Sequence, residues 1–305
     1  MELYWQGRNI TRSVKIMGCM HRDMGHGRSD GLELTLDRAG DWYRWGPEQD
    51  DTVRVVMDGY DTGEMYLNTV IPEGRLYRVI ATGLKRAAGV KSWGSYENVT
   101  LENLFDRVAA EARMAGRLYG VDGGIRYRYL LRKDEGCAAF LARIGELEGL
   151  RVKAEGGAIR GIALSAAQSR QAAARIAISA KQEGVYYRRQ DNRKWTSLTV
   201  RTPYGSATAR DTAAEGNNPR TMTGLPVENN AQAGRWARNL LTAHNRKAEE
   251  IGLETALDTR LKALERVDIS GGTDMDGRWV VEEAEHDLFN RRTAVRLARV
   301  TETVV

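Results

Sequence analysis

Residues 249–300 read EEIGLETALDTRLKALERVDISG (249–271), GTDMDG (272–277) and RWVVEEAEHDLFNRRTAVRLARV (278–300). Leu253, Thr255 and Leu257 fall on one face of a period-two pattern, with Glu254, Ala256 and Asp258 on the other. That alternation is the mark of a strand with one face in a core. The segment from Arg260 leads into a second short strand ending at Val267 and Ile269, and residues 271–277, rich in Gly and Asp, must turn. Trp279 and Val281 alternate with Val280 and Glu282 in a third strand. Residues 290–292 form a polar turn, and Val295 and Leu297 then oppose Ala294 and Arg296 in a fourth. Antiparallel strands in this succession predict a small β unit. Its edges carry unpaired backbone groups, so a closed or nearly closed barrel, or edges covered by another subunit, is expected.

The other end of the chain reads similarly. Residues 3–5 and 11–20 form strands, and residues 25–31 (GHGRSDG) a loop. Leu32, Leu34 and Leu36 alternate with Glu33, Thr35 and Asp37 in an amphipathic strand. A Trp-rich polar loop follows at 42–51, then a strand with Val53, Val55 and Met57, and then a hairpin turning at Pro72-Glu73-Gly74. Turn signals about every ten residues predict an all-β sandwich or barrel over residues 1–96.

The pattern changes at Thr100. Thr100 caps a helix in which Leu101, Leu104, Phe105, Val108 and Ala112 recur at helical spacing, with Gly116 as its stop. Asp134 caps a second helix with Phe140, Leu141, Ile144 and Leu147 on one face and Gly149 at its end. Tyr127 and Tyr129 mark a strand between them, and residues 150–154 and 159–164 a hairpin. Residues 97–165 thus read as an α+β insert, and residues 166–305 as a second β domain. Within that second domain, residues 212–226 form an exposed loop. A helix at 228–246 is expected to pack Trp236, Leu240 and Leu241 on the second barrel. The fold class is mainly β with an α+β insert.

Several of these residues carry a resemblance. Asp258, Arg260 and Leu261, followed by Gly277, Trp279, Val281, Glu285, His286 and Leu288, reproduce a D-x-R-L and G-x-W-x-V-x-x-x-E-H-x-L succession. Thr100, Leu101, Leu104, Val108 and Ala109, then Asp134, Phe140, Leu141, Arg143 and Ile144, match two helix motifs in the same order. Together they resemble the phage late control protein D family, the hubs of contractile-tail baseplates. The match departs at Lys133-Asp134-Glu135-Gly136, where an acidic or serine-rich lead is usual, and over residues 168–226. The resemblance implies two tail-tube-like β-barrels per chain and a homotrimer that adapts a six-fold tail tube to a three-fold central spike. It implies as partners the tube, a separate spike protein, the tape-measure protein and baseplate wedge components. It also implies a place in the virion, after assembly in the host bacterial cytoplasm.

Composition narrows the alternatives. The 305 residues are 42% hydrophobic and 29% charged, a globular balance long enough for two or three domains. No apolar run approaches the roughly 20 residues of a membrane-spanning helix, so no membrane insertion is expected. The N-terminal MELYWQGRNITR lacks the apolar core of a signal peptide. Cys19 and Cys137 stand far apart and suggest no disulfide framework. Cys19, His21, Asp23 and His26 crowd eight residues, but no second ligand pair follows, so no metal is expected. No phosphate-loop or hydrolase motif occurs, and Glu282 and Glu283 fall on opposite strand faces. No cofactor and no enzymatic activity are therefore expected. Trp42, Tyr43 and Trp45 sit in a polar loop and are candidate subunit contacts. Net charge is +5. Within YYRRQDNRK (186–194), Arg188, Arg189, Arg193 and Lys194 form a candidate basic patch. That patch supports the alternative, a nucleic-acid-binding protein.

Overall fold

The computed structural model describes residues 1–37, 42–179 and 182–305, the Trp42 side chain excepted. The first unit consists of β1 (Glu2–Trp5), β2 (Arg8–Asn9), β3 (Ile16–Met24), β4 (Gly31–Asp37), β5 (Thr52–Met57), β6 (Tyr60–Asp61), β7 (Met65–Glu73) and β8 (Leu76–Thr82). The alternation in β4 does what it implied: Leu32, Leu34 and Leu36 are buried, and Glu33 and Thr35 stay half exposed. The β7–β8 hairpin closes with Glu73 opposite Leu76. The strand expected from Thr11 starts only at Ile16. The Thr11 hydroxyl accepts from the Leu3 amide at 2.9 Å and donates to Asn9 Oδ1 at 2.7 Å, which holds a tight turn there instead.

The middle of the chain forms β9 (Ser92–Thr100), α1 (Leu101–Glu111), β10 (Ala115–Tyr119), β11 (Arg126–Glu135), α2 (Cys137–Leu147), β12 (Leu150–Glu155), β13 (Ala158–Ala163) and α3 (Leu164–Ser169). Thr100 caps α1 as expected, accepting from the Asn103 amide at 3.2 Å. Two helix boundaries differ from the sequence reading. α1 ends at Glu111, where Arg113 turns left-handed (φ 56°). Gly116 lies inside β10 because a Cβ there would stand 2.5 Å from the Phe105 carbonyl carbon of α1. Gly136, not Asp134, is the N-cap of α2, since Asp134 is still in β11 with φ 50°. Gly149 follows the C-cap of α2 with φ 72°, as its position predicted.

The last part contains β14 (Ala174–Ala177), β15 (Val185–Arg189), β16 (Ser197–Thr202), β17 (Gly205–Arg210), β18 (Pro219–Met222), α4 (Asn230–Asn245), β19 (Glu249–Ala256), β20 (Arg266–Ser270), β21 (Gly277–Asp287) and β22 (Arg292–Arg299). β21 is the pivot of the molecule. Its first residues pair with β20, from Arg266–Val280 to Ile269–Gly277. Its last residues, 283–287, pair with β3. The two β units therefore merge into one sheet, running β15-β19-β22-β21-β3-β4-β8-β7-β5-β1-β2. Each unit keeps its own apolar core. Leu34, Val53, Val55 and Val79 fill the first, and Ile251, Leu261, Trp279 and Leu297 the second.

Helix α4 does not lie on the second barrel. Trp236 and Leu241 are fully buried in a third core with Phe105 and Val108 of α1 and Phe140 and Ile144 of α2, and Leu240 is only half buried. The reason is a separate three-stranded sheet, β17-β16-β18. Its apolar residues Leu198, Val200 and Ala209 cover α4 from one side, and α2 covers it from the other. The exposed loop expected over 212–226 likewise contains β18, which pairs in parallel with β16. Open stretches remain on both sides of it, at 212–218, where Glu215, Gly216 and Asn217 are exposed, and at 223–226, where Thr223, Gly224 and Pro226 are. A glutamate-specific protease is expected to cut the native chain first after Glu215, giving fragments separable by mass. A first cut elsewhere contradicts this.

Candidate assembly surfaces

The three cores are held together by buried charge. Between Val281 and Glu283 the β21–β22 ladder slips by one residue. The bulge turns Glu282 off the ladder, and its carboxylate ion-pairs with Arg151 of β12 and with Arg246 just beyond α4. Arg246 is 1% exposed and Arg151 5%. Burial alone would raise the Glu282 carboxyl, but Arg246 and Arg151 hold it below the usual range. A second knot sits two residues along β12. Lys153 pairs with Asp23 of β3 and, at 3.4 Å, with Asp30. The other Asp23 oxygen accepts from the Ala263 amide at 2.9 Å. Burial lifts the Asp30 carboxyl to about 7 against the pull of Lys153, whereas Asp23 ends up lowered because Lys153 outweighs its burial. β12 is thus buried on both faces, apolar on one and ionic on the other. Arg151 and Lys153, alternating with Leu150, Val152 and Ala154, resemble an ordinary solvated face in sequence, which is why the knots were not foreseen.

The Cys19, His21, Asp23 and His26 side chains go to separate partners. Burial pushes the Cys19 thiol up to about 12. His21 Nδ1 lies 2.6 Å from the Tyr60 hydroxyl, and His26 Nδ1 accepts from the Val152 amide at 2.9 Å. Among the described residues no group of three or more His, Cys, Asp or Glu side chains is placed to hold a metal ion. Glu282 and Glu283 also part company, since Glu283 pairs with Arg296 at 2.7 Å.

Tyr43 and Trp45 lie on a short 3-10 turn, Trp42–Trp45. Tyr43 is 46% exposed and stacks on Tyr77 with centroids 4.8 Å apart, and Trp45 is 54% exposed. The Trp42 side chain lies outside the described residues. In the basic segment, Arg188 pairs with Glu250 at 3.0 Å, Arg189 with Asp191, and Lys194 with Asp191 at 3.0 Å and Glu249 at 3.2 Å. The Arg193 carbonyl accepts from His244 Nε2 at 3.0 Å, and its side chain is exposed. Arg188, Arg189 and Lys194 therefore face carboxylates of β19 and of the adjacent turn rather than forming a bare track for phosphates. Among the described residues β15, which carries two of these arginines, pairs with β19 alone, and β2 ends the other side of the sheet. An open groove of about 710 Å³ lies between the β16–β17 turn and residues 223–228, walled by Arg128, Tyr129, Tyr204 and Leu225. No helix among the described residues is long and apolar enough to cross a membrane.

No protein-family model matches the chain, and no curated protein matches it. Solved structures do. The fold is similar to the 43 kDa tail protein of prophage MuSo2 from Shewanella oneidensis, with a TM-score of 0.75 at 13% identity, covering 98% of this chain and 97% of that one. It is similar to the tail protein from Neisseria meningitidis MC58, with a TM-score of 0.73 at 12% identity and coverages of 98% and 95%. It is also similar to a type VI secretion component of E. coli, itself described as structurally similar to the T4 tail proteins gp27 and gp5. That match has a TM-score of 0.62 at 10% identity, covering 99% of this chain and 78% of the other. End to end, through both β units and the α+β region between them, this chain has the fold of phage and prophage tail proteins.

Proposed function

We propose that this chain is the baseplate hub of a contractile phage tail or a related injection machine. Three copies close into a ring that joins the six-fold tail tube to the three-fold central spike. One observation carries the reading: a single chain holds two β units fused into one sheet whose terminal strands, β15 and β2, have no outer neighbour among the described residues. Unpaired edges invite partners, and a cyclic assembly satisfies every copy in the same way. Two wall segments per chain, taken three times, make six. The fold shared with tail proteins supports the same reading. On this reading the partners are the tube, a separate spike, the tape-measure protein and wedge components. Tyr43 and Trp45 are contacts between neighbours, and the chain has a structural role in the virion rather than a catalytic one. Image reconstruction of particles carrying this protein is expected to show a three-fold ring with pseudo-six-fold β walls around an open channel on the tail axis. Six identical copies, or one copy off the axis, would overturn it.

A further inference from the structure

His21 of β3 and His286 of β21 are directly opposed residues in the ladder that joins the two β units. Both are buried, His21 to 4% exposure and His286 to 0%. His21 Nδ1 meets the Tyr60 hydroxyl at 2.6 Å and His286 Nδ1 meets Thr293 Oγ1 at 3.0 Å. The Nε2 atom of each ring is buried with no hydrogen-bond partner. The Tyr60 ring stands edge-on to His21 (5.8 Å between centroids) and tilted over His286 (4.9 Å). The charges around this trio are already committed. Asp23 is taken by Lys153 and the Ala263 amide, and Asp30 pairs with Lys153 at 3.4 Å. Asp258 is paired with Arg260, and the Lys262 ammonium sits 5.2 Å from the Tyr60 centroid. The buried Cys19 thiol, on the same strand, stays protonated.

We propose that the His21–His286 pair is an acid-operated release for the joint between the two β units, parting β3 from β21 while each unit keeps its own core. A proton on His21 places charge in a buried site beside Lys153 and Lys262, a proton on His286 places it beside Lys262, and protons on both place like charges on opposed strand positions. The separate first and second cores allow the units to move apart as bodies. Parting must also withdraw Leu288, whose side chain sits in the first core and whose amide donates to the Cys19 carbonyl at 2.9 Å. Burial pushes His21 down to about 4 and lowers His286, against the attraction of Asp23 on both and of Asp258 and the Leu261 backbone on His286. An exposed imidazole takes its proton near pH 6.5. The open joint therefore binds more protons than the closed one between about 6.5 and 4. Closure is fully favoured above that window and is lost progressively as the pH falls through it.

Hydrogen exchange on the intact chain tests this, with rates corrected for the intrinsic effect of pH. Between pH 7.5 and 5.0, peptides covering residues 20–24 and 283–287 are expected to lose roughly thirtyfold in protection from His21 alone, while β4, β8 and β19 keep theirs. In the His21→Gln/His286→Gln double variant, which cannot titrate there, protection at pH 5.0 should match that at pH 7.5. Unchanged protection in the wild type, a loss spread evenly over both cores, or the same loss in the variant would overturn the proposal. Should the variant not fold, imidazole titration by NMR decides the matter. Both rings titrating near 6.5 in a closed joint would equally refute it, and depressed values with the seam opening alongside would support it.

Discussion

Replacing Glu282 by alanine is expected to cost the fold roughly 3–5 kcal/mol, because Arg151 and Arg246 are then left buried and uncompensated. Few single changes elsewhere in the chain should match it. The β21 bulge turns the carboxylate toward β12 and the end of α4, and Arg246 is only 1% exposed, so its guanidinium has little water to replace the lost partner. The effect belongs to the unmatched charges rather than to a lost attraction. The triple variant Glu282→Ala/Arg151→Met/Arg246→Met should therefore recover most of the loss, since apolar replacement of a buried ion cluster is often neutral or better. Urea denaturation of the three proteins measures both quantities. A loss below about 1 kcal/mol in the single variant, or no recovery in the triple, would show that the knot is solvated in solution. Acid acts in the same direction. The Glu282 carboxyl is held low in the fold, so its contribution is present above the ordinary carboxylate range and fades as pH falls through its lowered value.

Trp236→Ala is expected to cost about 3–5 kcal/mol as well, for a different reason. The indole is fully buried between α2 and the β17-β16-β18 sheet, and its Nε1 donates to Glu148 Oε1 at 2.7 Å. That carboxylate also accepts from the Tyr127 hydroxyl at 2.7 Å and from Arg235 at 2.6 Å. Truncation leaves a large cavity and removes one of the three side chains that donate to a buried carboxylate. What distinguishes the observed packing from the barrel packing suggested by sequence is where protection is lost. Hydrogen exchange should rise in α1, α2 and β16, which share the core of Trp236, and not in β19–β22. The opposite distribution would put α4 back on the barrel.

The amino-acid sequence by itself determined the local units. Period-two alternation located β4, β19, β21 and β22. Helical spacing from Thr100, together with the Gly149 stop, located α1 and α2, and the Trp279-to-Leu288 pattern carried the likeness to a tail hub. Each of these is encoded within a dozen residues, through steric preference and the face that must leave water. Only the tertiary structure decided which faces meet. An amphipathic helix states that it has an apolar stripe, not which core receives it, so the stripe of α4 reads as barrel-facing in sequence and packs in the core of α1 and α2 instead. Whether Glu282, Arg151, Lys153 and Asp23 are solvated or buried depends on partners more than a hundred residues away, and no local pattern records that. The pairing of His21 with His286 joins strands 265 residues apart (286 − 21). It exists because β21 is long enough to pair with β20 at one end and with β3 at the other.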